Sequence, residues 1–126
     1  WENPAENRIQ FEEKIHAIDE KVDLIVLPEM FTSGFTMRPE LVAETMQGET
    51  IEWLRQLAKA KNAAITGSLV IAEYGNFYNR LVFVFPLGEV KLYDKRHLFT
   101  LAGEDKKYTA GKEKVIKNHK NPKVFL

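Results

Sequence analysis

No cysteine occurs among the 126 residues, which excludes disulfides and thiolate metal ligands within this chain. That absence fits a reducing compartment, and a cytoplasmic location is the expectation. An excess of charge of either sign is missing too. Eighteen basic residues balance 18 acidic ones, so no global field draws nucleic acid or an anionic membrane as a partner. No apolar run approaches the ~20 residues that span a bilayer, and the N-terminus lacks the pattern of a signal peptide. Glycine is sparse and scattered: Gly34, Gly48 and Gly67 fit neither a phosphate loop nor a dinucleotide fingerprint. His16, His97 and His119 lie far apart without zinc-type spacing, and Ser33 and Ser68 lack the setting of a nucleophile elbow.

What is present suffices for one globular domain with a core, since 44% of the residues are hydrophobic. The chain opens on Trp1 and closes on Val124-Phe125-Leu126, an apolar triplet that reads as the start of a strand. Part of a longer domain, cut at both ends, is therefore expected. Asn3-Pro4 combines a capping side chain with a proline at the first helical position, and Phe11, Ile15, Ile18 and Val22 form one stripe. A helix over about residues 4–21 follows from that spacing. Leu24 to Leu27 is a short apolar run bounded by Asp23 and Pro28, read as a strand buried on both faces. Helix followed by buried strand indicates a layered α/β domain.

Residues 32–48 are polar and broken by Gly34, Pro39 and Gly48, with one helical turn expected around Glu40 to Glu44. Thr50 is the expected cap of a second helix, with Ile51, Leu54, Leu57 and Ala58 as its buried stripe and Trp53 on the flank. Residues 63–72 read as a buried strand with a close approach at Gly67. Tyr78–Phe85 and Val90–Leu98 flank Pro86-Leu87-Gly88-Glu89, which has the chemistry of a hairpin turn. A long polar connection containing a short helical piece comes next. The five lysines of residues 112–123 lack interleaved aromatics and read as a solvated face.

Three charged residues stand where strands are expected to end: Glu29 in LPEMFTSGF, Lys95 near the end of the hairpin's second strand, and Glu104 in the loop beyond. Sites in α/β sheets are assembled at such places. Glu29 follows a proline that fixes the turn, so its carboxylate could be aimed as a base, with Glu104 as a like-charged neighbour and Lys95 offsetting the pair. The plainer reading makes Glu29 a turn residue, Lys95 a member of the charged run Asp94-Lys95-Arg96-His97, and Glu104 a solvated acid. Spacing alone favours the plainer reading.

Longer stretches reverse that balance. LPEMFTSGFTM, GSL at 67–69, YNRLVFVFPLGEV at 78–90, YDKRHLF at 93–99 and GE...YTAG at 103–111 resemble, in order, the nitrilase superfamily of carbon-nitrogen hydrolases. The opening WENPAENR joins the pattern, and within the superfamily the omega-amidase branch is the most similar. The resemblance implies an αββα four-layer sandwich, of which residues 1–126 are the N-terminal half of a single domain, and pairing into homodimers or larger homo-oligomers. It implies a Glu-Lys-Cys triad with a second glutamate: Glu29 as general base, Lys95 as the oxyanion partner, Glu104 positioning the substrate and tuning the base. Phe35 falls at an aromatic position of the pocket wall. The family's nucleophilic cysteine, in a Cys-Tyr-Asp motif at a strand end, is absent, and it is expected beyond Leu126.

No cofactor is implied. The expected partner is a small-molecule amide, as in the hydrolysis of the terminal amides of 2-oxo acids such as 2-oxoglutaramate and 2-oxosuccinamate. Two other readings stay open: a non-catalytic nitrilase-like module for binding or oligomerisation, and the glutaminase part of a larger amidotransferase.

Overall fold

The computed structural model describes residues 2–112, Leu101 by its backbone alone, together with the backbone of 116–118 and 123–125. Helix α1 (Pro4–His16) begins as the sequence dictates, with the Asn3 side chain accepting the Glu6 N–H. It ends five residues earlier than the expected boundary near 21, because Ala17 and Ile18 turn their N–H groups onto the Glu13 and Ile15 carbonyls. Ile18 and Val22 nonetheless pack against the core from the following loop, and Lys61 Nζ holds the Ile18 carbonyl at 3.0 Å. The apolar stripe thus outlasts the helix that it predicted.

Strand β1 (Leu24–Val26) pairs in parallel with β2 (Ala64–Glu73), β2 pairs antiparallel with β3 (Asn76–Val84), and β3 pairs antiparallel with β4 (Val90–Asp94). Between β1 and β2 lie a single helical turn, α2 (Pro39–Val42), and helix α3 (Glu49–Lys61). Thr50 is not the N-cap of α3. Gly48 takes that place, and the Glu44 carboxylate accepts both the Thr50 N–H and its hydroxyl from outside the helix. Ile51, Leu54, Leu57 and Ala58 are buried as their spacing requires, and Trp53 packs partly buried beside them.

The two helices cover one face of the sheet, where Ile25, Ile65, Leu69, Val82 and Val84 meet Ile15, Ile51, Leu54 and Leu57. These residues supply one helix layer and one sheet layer of the expected αββα arrangement. β1 is not buried on both sides. Ile25 is covered, but Val26, pointing the other way, is 70% exposed, because β1 is the outermost strand of this sheet and the helices lie on Ile25's side.

The β3–β4 turn is the expected one, closed by bonds from Phe85 N–H to the Glu89 carbonyl and from Gly88 N–H to the Phe85 carbonyl, both 2.9 Å. β4 stops at Asp94, short of Leu98, and the chain runs through a 3-10 turn (Thr100–Ala102) into α4 (Glu104–Lys107), the expected helical piece. β5 (Ile116–Asn118) and β6 (Lys123–Phe125) form a separate antiparallel pair. The expected terminal strand falls on β6 as far as Phe125. Leu126, His119, Lys114 and Lys120 lie outside the described residues, and Lys112 is exposed as expected of a solvated face.

Candidate active site

Glu29 owes its position to its neighbours. Leu27 and Phe31, on either side, are buried in the helix layer, where Phe31 sits edge-on to Phe11 at 5.9 Å and stacked on Trp53 at 6.1 Å. Between them the backbone reverses: Met30 adopts φ 48°, and its carbonyl accepts the N–H groups of Ser33 and Gly34. Ser68 on β2 ties this turn down twice, its hydroxyl oxygen accepting Met30 N–H at 2.8 Å and its carbonyl accepting Phe31 N–H at 3.0 Å. Gly67 is the close approach that the sequence predicts. A Cβ there would lie 2.8 Å from Leu27 Cβ and 3.0 Å from the Phe31 ring.

Lys95 follows β4 directly, and its N–H extends the ladder to the Asn79 carbonyl at 2.9 Å. Its own carbonyl accepts Gly111 N–H at 2.9 Å. Any Cβ on Gly111 would fall 2.1 Å from the Asp94 carbonyl oxygen, so only glycine lets this segment lie against the strand end. Glu104 opens α4 after Gly103, whose φ is 79°. The carboxylate folds back to accept Phe99 N–H at 2.6 Å, while its own N–H donates to the Phe99 carbonyl at 3.2 Å.

These three segments bring the three predicted side chains together. Lys95 Nζ lies 2.8 Å from Glu29 Oε1 and 3.0 Å from Glu104 Oε1. Glu104 is 0% exposed, Lys95 29% and Glu29 49%, so a buried acid anchors a lysine that in turn holds a solvent-accessible acid. Burial by itself would lower the Lys95 pKa. The hydrogen bonds and charges of Glu29 and Glu104 outweigh it and raise the pKa above the ordinary lysine value, so the ammonium stays charged. Neither the solvated-acid reading of Glu104 nor the single charged run around Lys95 holds. Asp94, one residue earlier, faces the other side of the sheet and pairs with Arg80 at 2.7 Å.

Phe35 is also present, its ring centroid 5.8 Å from Lys95 Nζ. Its loop is fixed by the Glu2 carboxylate, which accepts from the Thr36 hydroxyl and the Arg38 guanidinium. The Thr36 carbonyl accepts the Tyr108 hydroxyl at 2.6 Å, linking the loop to α4. Burial, then the nearby charge of Glu104, pushes the Tyr108 hydroxyl above its usual pKa and keeps it a donor. A cavity of about 240 Å³ opens beside the cluster, lined by Glu29, Ser68, Asn79, Leu81, Tyr93 and Lys95 among others.

Sequence reasoning missed Asn79 and Ser68. Asn79 is buried, and its Nδ2 donates to Glu29 Oε1 at 2.6 Å and to Glu104 Oε2 at 3.3 Å. Its signal was there: Asn79-Arg80 puts two polar residues in succession inside an apolar strand, one on each face. His97 and His16 are exposed, and among the described residues no group of three His, Asp or Glu side chains converges as metal ligands would. No helix among them is long and apolar enough to cross a membrane.

The sequence pattern of the carbon-nitrogen hydrolases matches residues 1–122. The chain belongs to the carbon-nitrogen hydrolase family. It is 40% identical over 117 residues to the omega-amidase YafV of Escherichia coli strain K12, which covers 92% of this chain and 44% of that protein. The 2-oxoglutaramate amidase of Bacillus subtilis strain 168 is 32% identical over 115 residues, 87% of this chain and 44% of that protein. The chain therefore spans about half the length of the curated relatives it matches. Among solved structures, XC1258 of Xanthomonas campestris, a CN-hydrolase superfamily protein with an arsenic adduct in its active site, superposes with a TM-score of 0.94. It is 38% identical, and the match covers 99% of this chain and 47% of that protein. The nitrilase-type α/β fold expected from the sequence is thereby met.

Proposed function

We propose that this chain supplies the base, the cation and the second acid of an amidase that cleaves a carboxamide C–N bond through a cysteine outside the chain. One observation carries the reading: Glu29, Lys95 and Glu104, from three separate segments, meet within 3.0 Å of one ammonium beside a cavity. A structural ion pair needs neither a cavity nor a second, half-exposed acid on the same lysine.

In the reaction the thiol sulfur attacks the amide carbon while Glu29 takes the thiol proton. The carbonyl oxygen becomes an oxyanion, which the Lys95 ammonium stabilises. As the C–N bond breaks, Glu29 passes its proton to the departing nitrogen and ammonia leaves. Water, deprotonated by Glu29, then attacks the thioester; the C–S bond breaks, Glu29 returns that proton to the sulfur, the carboxylic acid leaves and the thiol is regenerated. Glu104 keeps Lys95 in place, and Phe35 borders the substrate beside it. The relatives named omega-amidase and 2-oxoglutaramate amidase support a terminal amide of a 2-oxo acid as substrate. A cytoplasmic homodimer without a cofactor accords with the resemblance.

The test is ammonia release from 2-oxoglutaramate by the full-length protein and its Glu29→Gln variant. Loss of the base should lower kcat by about 10²–10⁴-fold with folding intact. Unchanged turnover would remove Glu29 from the role. A wild-type protein that releases no ammonia from any carboxamide would favour the non-catalytic module.

A further inference from the structure

The two oxygens of Glu29 are not equivalent. Oε1 accepts from Lys95 Nζ at 2.8 Å and from Asn79 Nδ2 at 2.6 Å, whereas Oε2 takes no hydrogen bond from any described residue. The terminal torsion of a glutamate is broad and roughly two-fold, so a single donor leaves the carboxylate free to rotate. Two donors converging on one oxygen fix it. Asn79 can do this because it sits in β3, an interior strand laddered to β2 and β4, with its carbonyl holding the Lys95 N–H. Both carboxylates within its reach require donors, which settles which end of the amide faces them. Its second N–H goes to Glu104 Oε2, so one buried side chain spans the two acids that share Lys95.

From this geometry we infer that Asn79 is a positioning residue of the amidase site: it clamps Glu29 through Oε1, leaving Oε2 as the atom that carries the proton. The inference rests on the amidase reading above, and it assigns the proton to one oxygen of the base. The charged groups meeting Asn79 are Glu29 from the turn after β1, Lys95 after β4 and Glu104 from α4; Tyr108 stands behind Glu104, and Arg80 and Asp94 lie across the sheet.

The experiment uses Asn79→Leu and Asn79→Asp in the full-length protein, with kcat, KM and their pH dependence measured for each. Asn79→Leu removes both donors, and kcat should fall on the order of 100-fold while KM changes far less. Asn79→Asp is nearly isosteric, but its ionised carboxyl cannot donate. It should lose activity comparably at neutral pH and regain part of it as acid protonates the new carboxyl, a rise that the wild-type enzyme lacks. Wild-type kcat and pH profile per folded molecule in either variant would overturn the inference, as would a loss in Asn79→Asp that acid does not relieve. If Asn79→Leu does not fold, the pH profile of Asn79→Asp decides alone. A crystal structure of Asn79→Asp gives an arm independent of turnover, so an inactive wild type sinks the amidase reading without deciding this one. Displacement of the Glu29 carboxylate from its contact with Lys95 supports the clamp, and an unmoved carboxylate contradicts it.

Discussion

The same strands present two faces built on different principles. Under α1 and α3 the sheet offers Ile65, Leu69, Val82 and Val84 to a dry hydrocarbon layer whose stability scales with buried area. On the other face, one residue out of phase, stand Ser68, Asn79 and, past the end of β4, Lys95, which meet Glu29 and Glu104. The apolar face tolerates displacement by repacking. On that second face each buried polar group depends on a specific partner, beside a smaller apolar cluster of Met30, Val70 and Tyr108, while the helix-side face carries one ion-paired group of its own, Arg80 with Asp94 and Glu73. The difference is one of emphasis, packing on one side and directed partners on the other.

The first way to break this contrast compares one residue from each face. Glu104→Ala leaves the Phe99 N–H without its acceptor and takes one of two carboxylates from Lys95 and Asn79, both of which keep Glu29. It should cost about 1–3 kcal/mol in urea denaturation, the range for a buried polar group left unsatisfied. Leu54→Ala, under the helices, should cost about 2–5 kcal/mol with no change in the Lys95 contacts. A Glu104→Ala cost near zero would mean that the polar face is not built as described.

Gly67 sharpens the comparison because it lies against the apolar residues on either side of Glu29. Gly67→Ala presses on Leu27 and Phe31 in the apolar layer and thereby on the turn carrying Glu29. It should destabilise by about 1–3 kcal/mol and lower turnover beyond the loss of folded protein, whereas Leu54→Ala should lower turnover only by unfolding.

The smallest effect is in pH. Because the folded pKa of Lys95 is raised, its stabilisation is fully present below the ordinary value of 10.5 and is lost as pH rises through the raised one. The stability difference between wild type and Lys95→Met should therefore stay flat in urea melts from neutrality to about pH 10 and shrink above it. A difference already shrinking near neutrality would contradict the ion-pair network.

Legibility in the sequence followed the same division. The stripe of α3, the Pro86–Glu89 turn and the close approach at Gly67 were readable because period and turn chemistry are local. The end of α1 was not, since Ile18 and Val22 keep the helical period after the helix has stopped. The exposure of Val26 depends on which strand is outermost, which Leu24 to Leu27 cannot record. Glu29, Lys95 and Glu104 were placed by the ordered motifs rather than by spacing, because Glu104 begins a polar run, EDKK, that reads as solvated. Its burial comes from Asn79, Lys95 and Phe99, none of them a near neighbour in the helix. Asn79 was overlooked because the polar pair Asn79-Arg80 signals that each face of the strand must supply a partner without saying which residues those partners are.

The central claim is that Glu29 and Lys95 act as one unit, and a double-mutant cycle on ammonia release by the full-length protein tests it most directly. Glu29→Gln and Lys95→Met should each remove most of the rate, and the double variant should be no slower than the worse single variant within about threefold. A double variant slowed by the product of the two separate losses would show that the two groups contribute independently, and would contradict the account.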